Sequence, residues 1–300
     1  LRANVRSLTA PPNPMTPSEA QRYCETVTKR SGSNFYYSFL FLPRSRREAM
    51  YAIYAFCKEV DSAVDEALPG SDPHEQLERW RRELNAVYQG RPTLPIAISL
   101  AEHVHRLHIP KDYFEDLLAG VEMDLTIRRY ATFDDLSLYC YRVASVVGLI
   151  CLHVFGTRSP HAREYAINLG LAFQLTNILR DLGTDADHGR IYLPLEDLSR
   201  FGYSEDHLLQ KAYSPSFREL MKFECTRARD FYDKASRAAD SLPAADRRPL
   251  TVAEIMRGVY ARILDRIERS DYRVYGTRVS LSPSYRLAIA ASVYLRSLLL

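Results

Sequence analysis

Three hundred residues, 46% hydrophobic and 26% charged, describe an ordinary globular protein with ample material for a core. Forty Lys and Arg against thirty-seven Asp and Glu leave a net charge of +3, too balanced for a nucleic-acid binder. The five cysteines (Cys24, Cys57, Cys140, Cys151, Cys225) are odd in number and form no CxxC pair, which argues against a disulfide framework or zinc site and for a reducing compartment.

Length alone suggests about two domains, but no Pro/Gly/Ser-rich linker divides the chain. The expectation is a flexible arm over 1–16 and one helical domain over 17–300. No stretch reaches the length of a membrane-spanning helix and no signal peptide precedes the first helix. A cytoplasmic protein is expected, although the chain opens on Leu1 rather than Met, which leaves room for a preceding piece.

Residues 1–16 are rich in Pro, Asn, Ser and Thr and read as an unstructured arm. Thr16-Pro17-Ser18-Glu19 is a helix start, with Thr16 as N-cap and Pro17 at the first helical position, and that helix runs to about Arg30. Ser31-Gly32-Ser33-Asn34 is a short polar loop whose N–H and hydroxyl groups suit a phosphate oxygen, although a plain connector is the commoner use. The segment FYYSFLFLP follows, and Pro43 resets the chain. From Arg46 to Ala67, Ala49, Ala52, Ile53, Phe56, Val60, Ala63, Val64 and Ala67 keep the spacing of a core-facing helix. Asp61 and Asp65 lie four apart on the flank of that stripe, and Tyr54 and Lys58 project toward the same flank. A lone pair of this kind would be a surface ladder worth a few tenths of a kcal/mol.

Leu68-Pro69-Gly70-Ser71 ends that helix, and an amphipathic helix from about Asp72 to Gln89 is closed by Gly90 and Pro92. His103, His105 and His108 follow at a spacing that does not place all three on one helical face, so no metal site is expected there. After Pro110 a helix carrying Glu122 and Asp124 runs toward Arg129. Phe133 to Phe155 is strongly apolar and contains Tyr139, Cys140, Val143, Ala144, Val147 and Gly148. Small residues at that density suit a hydrocarbon ligand or a tight helix crossing.

The second acidic helix lies in FQLTNILRDLGTDADHGRIYLP, Phe173 to Pro194. At about 100° per residue, Asn177, Asp181 and Asp185 stack on one face beside Gln174, while Leu171, Leu175, Ile178, Leu179 and Leu182 fill the opposite one. Gly170 and Phe173 share the polar face, which a wholly solvated surface does not need. Hard divalent cations take such oxygen ligands, and magnesium commonly combines one or two carboxylates with substrate phosphate oxygens. His188-Gly189-Arg190 forms a loop that places Arg190 near the acidic cluster. Helices from about Glu205, Pro215 and Pro249 follow, the last carrying Tyr260, and Pro283 to Leu300, with Arg286 and Arg296, reads as a core or interfacial helix. No strand-period run or hairpin signal is present, so the fold reads as all-α.

Two acidic helices with Lys58, Arg180 and Arg190 nearby fit a substrate with a diphosphate head and a long apolar tail. Metal and cationic side chains would stabilise the charge that builds on a departing diphosphate. An apolar cavity would keep the remaining carbocation from water.

YAFCKEVDSAVDE, YCYRVASVVG and QLTNILRDLGTDADHGRIYLP resemble the signatures of the squalene and phytoene synthase family, over about Ser31 to Arg278. SGSNFYYSFLFLP and the long second acidic motif look most like the bacterial presqualene diphosphate synthases of hopanoid-type squalene biosynthesis. The resemblance implies a single-domain isoprenoid-synthase-like helical bundle around a central cavity. It also implies magnesium held by Asp61 and Asp65 on one side and by Asn177, Asp181 and Asp185 on the other. Tyr139 matches the family tyrosine of proton removal or cation handling. Ser31, Ser33, Tyr54, Gln174, Arg180, Arg190 and Tyr260 match positions that contact diphosphate or line the site, and Arg278 matches the basic residue downstream of Tyr260. Lys58 departs from the family's usual arginine, replacing a planar fork with a point charge, and Ser62 stands where many members have an aspartate.

The expected activity is condensation of two farnesyl diphosphates to presqualene diphosphate, with magnesium, without NADPH, and with release to downstream squalene-forming enzymes. The alternatives are a phytoene synthase acting on geranylgeranyl diphosphate, a squalene synthase that also reduces the intermediate with NADPH, and a helical scaffold that has lost the chemistry. An apolar product would make the membrane periphery the alternative location.

Overall fold

The computed structural model describes residues 15–65, 72–276 and 278–297, apart from the side chains of Asn34 and Asp65. Almost all of the expected arm and the Leu68–Ser71 helix stop lie outside the described residues. Thr16 caps α1 (Pro17–Arg30) through a reciprocal pair: its hydroxyl accepts from the Glu19 N–H while the Glu19 carboxylate accepts from the Thr16 N–H. Ser33 caps α2 (Asn34–Phe39), and α3 (Arg44–Asp65) follows Pro43. Then come α4 (Pro73–Tyr88), α5 (Pro95–Leu107) and α6 (Lys111–Thr126).

Helix α6 stops short of the expected Arg129 because the chain there exchanges helical hydrogen bonds for a distant partner. Arg129 and Ile191 form an isolated parallel bridge, with the Ile191 N–H donating to Arg128 O at 3.1 Å and the Leu195 N–H to Tyr130 O at 2.9 Å. Such pairing is invisible to a local pattern. Among the described residues this bridge is the sole extended pairing, and the rest of the regular structure is helical.

The apolar run forms α7 (Phe133–Cys140), a π-helical turn (Tyr141–Ser145) and α8 (Val146–Phe155). These join into a continuous 23-residue helix whose most apolar 18-residue stretch has a mean hydropathy of 1.7, long and apolar enough to cross a membrane by those two measures. That corrects the expectation that no stretch has this length. Half of that stretch is buried within the protein, where the helix packs on α9 and α6.

Central to the bundle is α9 (Pro160–Asp187), 28 residues long and started by the Ser159 cap. It is followed by α10 (Leu195–Arg200), α11 (Glu205–Leu209), α12 (Pro215–Asp240), α13 (Ala244–Arg247) with a 3₁₀ turn at Arg248–Leu250, α14 (Thr251–Arg269) and α15 (Pro283–Ser297). Helix α9 packs against α12, α14, α8 and the π turn. The π turn comes so close at Gly170 that an added methyl group would lie 2.5 Å from Ser145 Cα. One continuous apolar cluster runs through these elements. Helix α15 lies over α14 and α2 with only Ala290 buried, so it is not a core helix.

Candidate active site

Helices α3 and α9, with α2, the π turn, α8 and α14, line a cavity of about 250 Å³. Its body is apolar, walled by Phe39, Met50, Ile53, Val147, Leu152 and Met256 among others, while Tyr54, Gln174, Asn177 and Tyr260 supply polar atoms. Both acidic helices therefore face the same space. Asp61 lies one helical turn beyond the cavity residue Cys57, and Asp181 one turn beyond Asn177. Asp61 and Asp181 are not themselves lining residues; each lies one turn past a residue that is.

Asp181 is bracketed by two guanidinium groups. Arg180 Nε donates to Oδ1 at 2.9 Å and Nη2 donates to Oδ2, while Arg278 donates from Nε to Oδ1 at 2.9 Å and from Nη2 to Oδ2 at 3.1 Å. Burial works to raise the Asp181 pKa, but the two arginines outweigh it and hold the carboxyl below its ordinary range. On the facing helix, Lys58 Nζ lies 3.8 Å from Asp61 Oδ2. Arg190 is brought close by its own backbone, whose N–H donates to Asp185 O at 2.9 Å. The Asp65 side chain lies outside the described residues.

Asn177 donates from Nδ2 to Gln174 Oε1 at 3.2 Å, and its own Oδ1 is buried with no hydrogen-bond partner among the described residues. A buried amide oxygen of that kind costs stability unless a donor or a cation meets it. No three carboxylate, imidazole or thiol groups converge into a closed metal cage among the described residues. Open oxygen donors on two facing helices instead fit cations shared with a substrate's own phosphate oxygens. The donor set accordingly fits magnesium.

The polar loop after α1 is tied to α3. Tyr54 donates to Ser31 Oγ at 3.1 Å, Ser31 donates to Thr28 O at 2.7 Å and accepts from the Ser33 N–H at 3.2 Å, and Ser33 Oγ accepts from the Phe35 N–H. Tyr260 is buried on α14, its ring stacked on Phe173 with centroids 4.5 Å apart. Burial pushes its phenol up, against the pull of Arg180 and Asn177.

Tyr139 is not among the residues that line the cavity. It donates to Asp124 Oδ2 at 2.9 Å, Tyr192 donates to Asp124 Oδ1 at 2.7 Å, and the rings of Tyr130, Tyr139 and Tyr192 pack together. Burial first, and then the Asp124 carboxylate, raise the Tyr139 phenol far above its ordinary value. Asp124 was visible in sequence only as an acid in an apolar run, and nothing local announced its two tyrosine partners.

The family model for squalene/phytoene synthases matches residues 28–285. A phytoene synthase of Arthrospira platensis is 40% identical over 278 residues, covering 88% of this chain and 89% of that protein, and further phytoene synthases match at 35–38% identity. A dehydrosqualene synthase crystal structure superposes with a TM-score of 0.83 at 28% identity, covering 94% of this chain and 98% of that one. The squalene synthase HpnC of Alicyclobacillus acidocaldarius does so with a TM-score of 0.78 at 29% identity, covering 85% and 95%. The all-α fold expected from sequence is thus the fold of these synthases. The expected presqualene diphosphate activity is overturned, because the similarity to phytoene synthases at up to 40% identity favours the phytoene alternative. The loop and the second acidic motif that suggested the hopanoid-type enzymes did not discriminate between the two.

Proposed function

We propose that this chain, which belongs to the squalene/phytoene synthase family and is an enzyme of its head-to-head prenyltransferase kind, is a phytoene synthase joining two geranylgeranyl diphosphates. The observation that carries the reading is its 40% identity, over most of both chains, to a phytoene synthase. The cavity supports it physically, since a largely apolar body suits an isoprenoid tail, while the polar atoms of Tyr54, Gln174, Asn177 and Tyr260 lie on the same two acidic helices and on α14.

In this proposal Asp61, Asp65, Asn177, Asp181 and Asp185 would hold magnesium, which when bound would supply positive charge against the diphosphate released as an allylic C–O bond ionises. Lys58, Arg180, Arg190 and Arg278 donate to the diphosphate oxygens, and Ser31, Ser33 and Tyr54 position the head group beside α3. Phe39, Met50, Val147 and Met256 exclude water from the allylic cation while the second substrate's alkene attacks it. Gln174 and Tyr260 hold Asn177 and Arg180 in place at the polar end. Tyr139, which donates to Asp124 and packs against Tyr130 and Tyr192 behind the cavity wall, would act on the substrate only through that cluster, as a positioning residue. Two diphosphates and two protons leave in all, so closing the reaction at phytoene takes no hydride donor.

The test is incubation of the purified protein with magnesium and either farnesyl or geranylgeranyl diphosphate, with and without NADPH, followed by product identification. Phytoene from the longer substrate, formed at the higher kcat/KM and unaffected by NADPH, is the expected result. A thirty-carbon product formed more efficiently from farnesyl diphosphate would overturn it.

A further inference from the structure

We propose that Tyr165, braced from behind by Glu254 and Arg257, is the floor of the tail cavity and sets the longest isoprenoid chain the site accepts; the inference rests on the prenyl diphosphate reading above. Tyr165 lies on α9 in the part of the helix remote from Asp181, lines the cavity and is 1% exposed. Its hydroxyl donates to Glu254 Oε1 at 2.7 Å. Arg257 donates to the other oxygen, Oε2, at 2.9 and 2.6 Å, and donates from Nη1 to Ser236 Oγ at 3.2 Å. The phenol is therefore pinned from α9 to α14 and onward to α12.

Behind this bracket lies a second cavity, also about 250 Å³, whose walls include Glu254, Arg257, Asp240 and Arg296. Leu250 borders both cavities. The partition between them at this point is no thicker than Leu250 and the Tyr165–Glu254 pair. Removing the ring would join the spaces, whereas the hydrogen bond keeps it from swinging aside.

Depth places the partition where chain length is decided. Tyr165 precedes Asn177 by twelve residues on one helix, which at ~1.5 Å per residue is roughly 18 Å. An extended hydrocarbon advances ~1.3 Å per main-chain carbon for C–C bonds of ~1.5 Å, so a twelve-carbon farnesyl main chain reaches ~15 Å and a sixteen-carbon geranylgeranyl chain ~20 Å. A floor at this depth is within a few ångström of the tail's end, and one more isoprene unit would have to displace a pinned aromatic ring in a close-packed wall.

The experiment measures kcat/KM with magnesium and the fifteen-, twenty- and twenty-five-carbon prenyl diphosphates for the wild type, Tyr165→Phe, Tyr165→Leu and Tyr165→Ala. The wild type should favour the twenty-carbon substrate. Tyr165→Ala should raise the ratio of twenty-five- to twenty-carbon efficiency by about tenfold or more, the discrimination expected of a misfit in an apolar pocket. Tyr165→Leu should raise it less, and Tyr165→Phe, which keeps the ring but frees it, least. Tyr165→Leu supplies the comparison if the alanine variant does not fold. An unchanged ratio in a folded, active leucine or alanine variant overturns the floor alone. A wild type that turns over none of the three overturns the prenyl diphosphate reading and the floor with it.

Discussion

Arg278 lays its guanidinium across both oxygens of Asp181, at 2.9 and 3.1 Å, although 97 residues separate them in sequence. With Arg180 on the same carboxylate, a cation arriving at Asp181 has to compete with two fixed positive charges. Arg278 is the more exposed of the two and the freer to move onto an incoming diphosphate. Removing it should have opposite effects on the two ligands. In Arg278→Ala the half-saturating magnesium concentration should fall severalfold, while KM for the prenyl diphosphate should rise by about tenfold, the scale of one charge-assisted hydrogen bond. Magnesium titration at fixed substrate and substrate titration at saturating magnesium check this, and no change in either would show that the contact is idle.

Asp61 and Asp181 should both be needed for turnover but should differ in their cost to the fold. The Asp61 side chain is 55% exposed, so Asp61→Ala should change stability by less than about 0.5 kcal/mol. Asp181→Ala strands Arg180, whose side chain is only 11% exposed, and should cost on the order of 1–3 kcal/mol. Activity in each should drop on the order of a hundredfold or more, as when a charge-stabilising group is lost. Chemical denaturation and steady-state assays separate the two effects; magnesium-dependent turnover retained in either variant would count against the metal assignment.

Lys58, at a position where the sequence resemblance leads one to expect arginine, has its Nζ 3.8 Å from Asp61 Oδ2. A point charge reaches one phosphate oxygen at a time, whereas a guanidinium forks onto two. Lys58→Ala should lower kcat/KM by about tenfold, and Lys58→Arg should match or exceed the wild type. Equal kinetics for the alanine variant and the wild type would show that the lysine makes no contact with diphosphate.

What could be read from the sequence was decided by how local the cause is. The path of α3 and the acidic half of α9 followed from their apolar stripes, while the start of α9 at Pro160 and its last residue, Asp187, were not read; Gly170 on the polar face of α9 marked a place that is not solvent, since the backbone of Ser145 lies against it. The extra residue of the π turn at Tyr141–Ser145 left no such mark, because an apolar run has the same side chains with or without it. Tyr139 matched a family tyrosine in sequence, yet its position depends on Asp124 and Tyr192 from two other segments. Substrate length was read wrongly for a related reason. The stretches that suggested the shorter substrate were read for their polar and acidic residues, whereas the room for a tail also depends on wall residues outside them, such as Tyr165, Leu169, Leu250 and Met256.

His103 predicts an acid limb in the stability of the fold. It is buried, its Nε2 donating to Gln21 Oε1 at 3.0 Å while its Nδ1 accepts from Arg106 Nη2 at 3.0 Å, an arrangement only the neutral ring can satisfy. Burial, and then Arg106, lower its pKa from 6.5 to about 4. The unfolded chain therefore takes up a proton that the folded one refuses, so the contribution is complete above pH 6.5 and is lost as pH falls toward 4. A depression of that size is worth on the order of 3 kcal/mol. Denaturant unfolding at pH 7.5 and pH 5 should show a smaller loss on acidification for His103→Gln than for the wild type. Equal losses would show that His103 does not set the limb.

Gly170 tests whether the π turn and the cavity wall are one mechanical unit. The wall residues Val143 and Ala144 belong to that turn, and the turn is seated on α9 where Gly170 has no side chain. A Cβ at position 170 would lie 2.5 Å from Ser145 Cα and 2.6 Å from Ser145 N, both backbone atoms that cannot rotate away. Gly170→Ala must therefore push the turn off the helix, although alanine is the better helix former by about 1 kcal/mol. Overpacking of a close-packed interface costs about 1–3 kcal/mol, so the net should be destabilising, a fall in Tm of several degrees. Because the displaced turn carries cavity lining, turnover should fall as well, in protein that is still folded at the assay temperature. A variant as stable as the wild type, or one less stable but equally active per folded molecule, would show that the turn can shift without moving the wall.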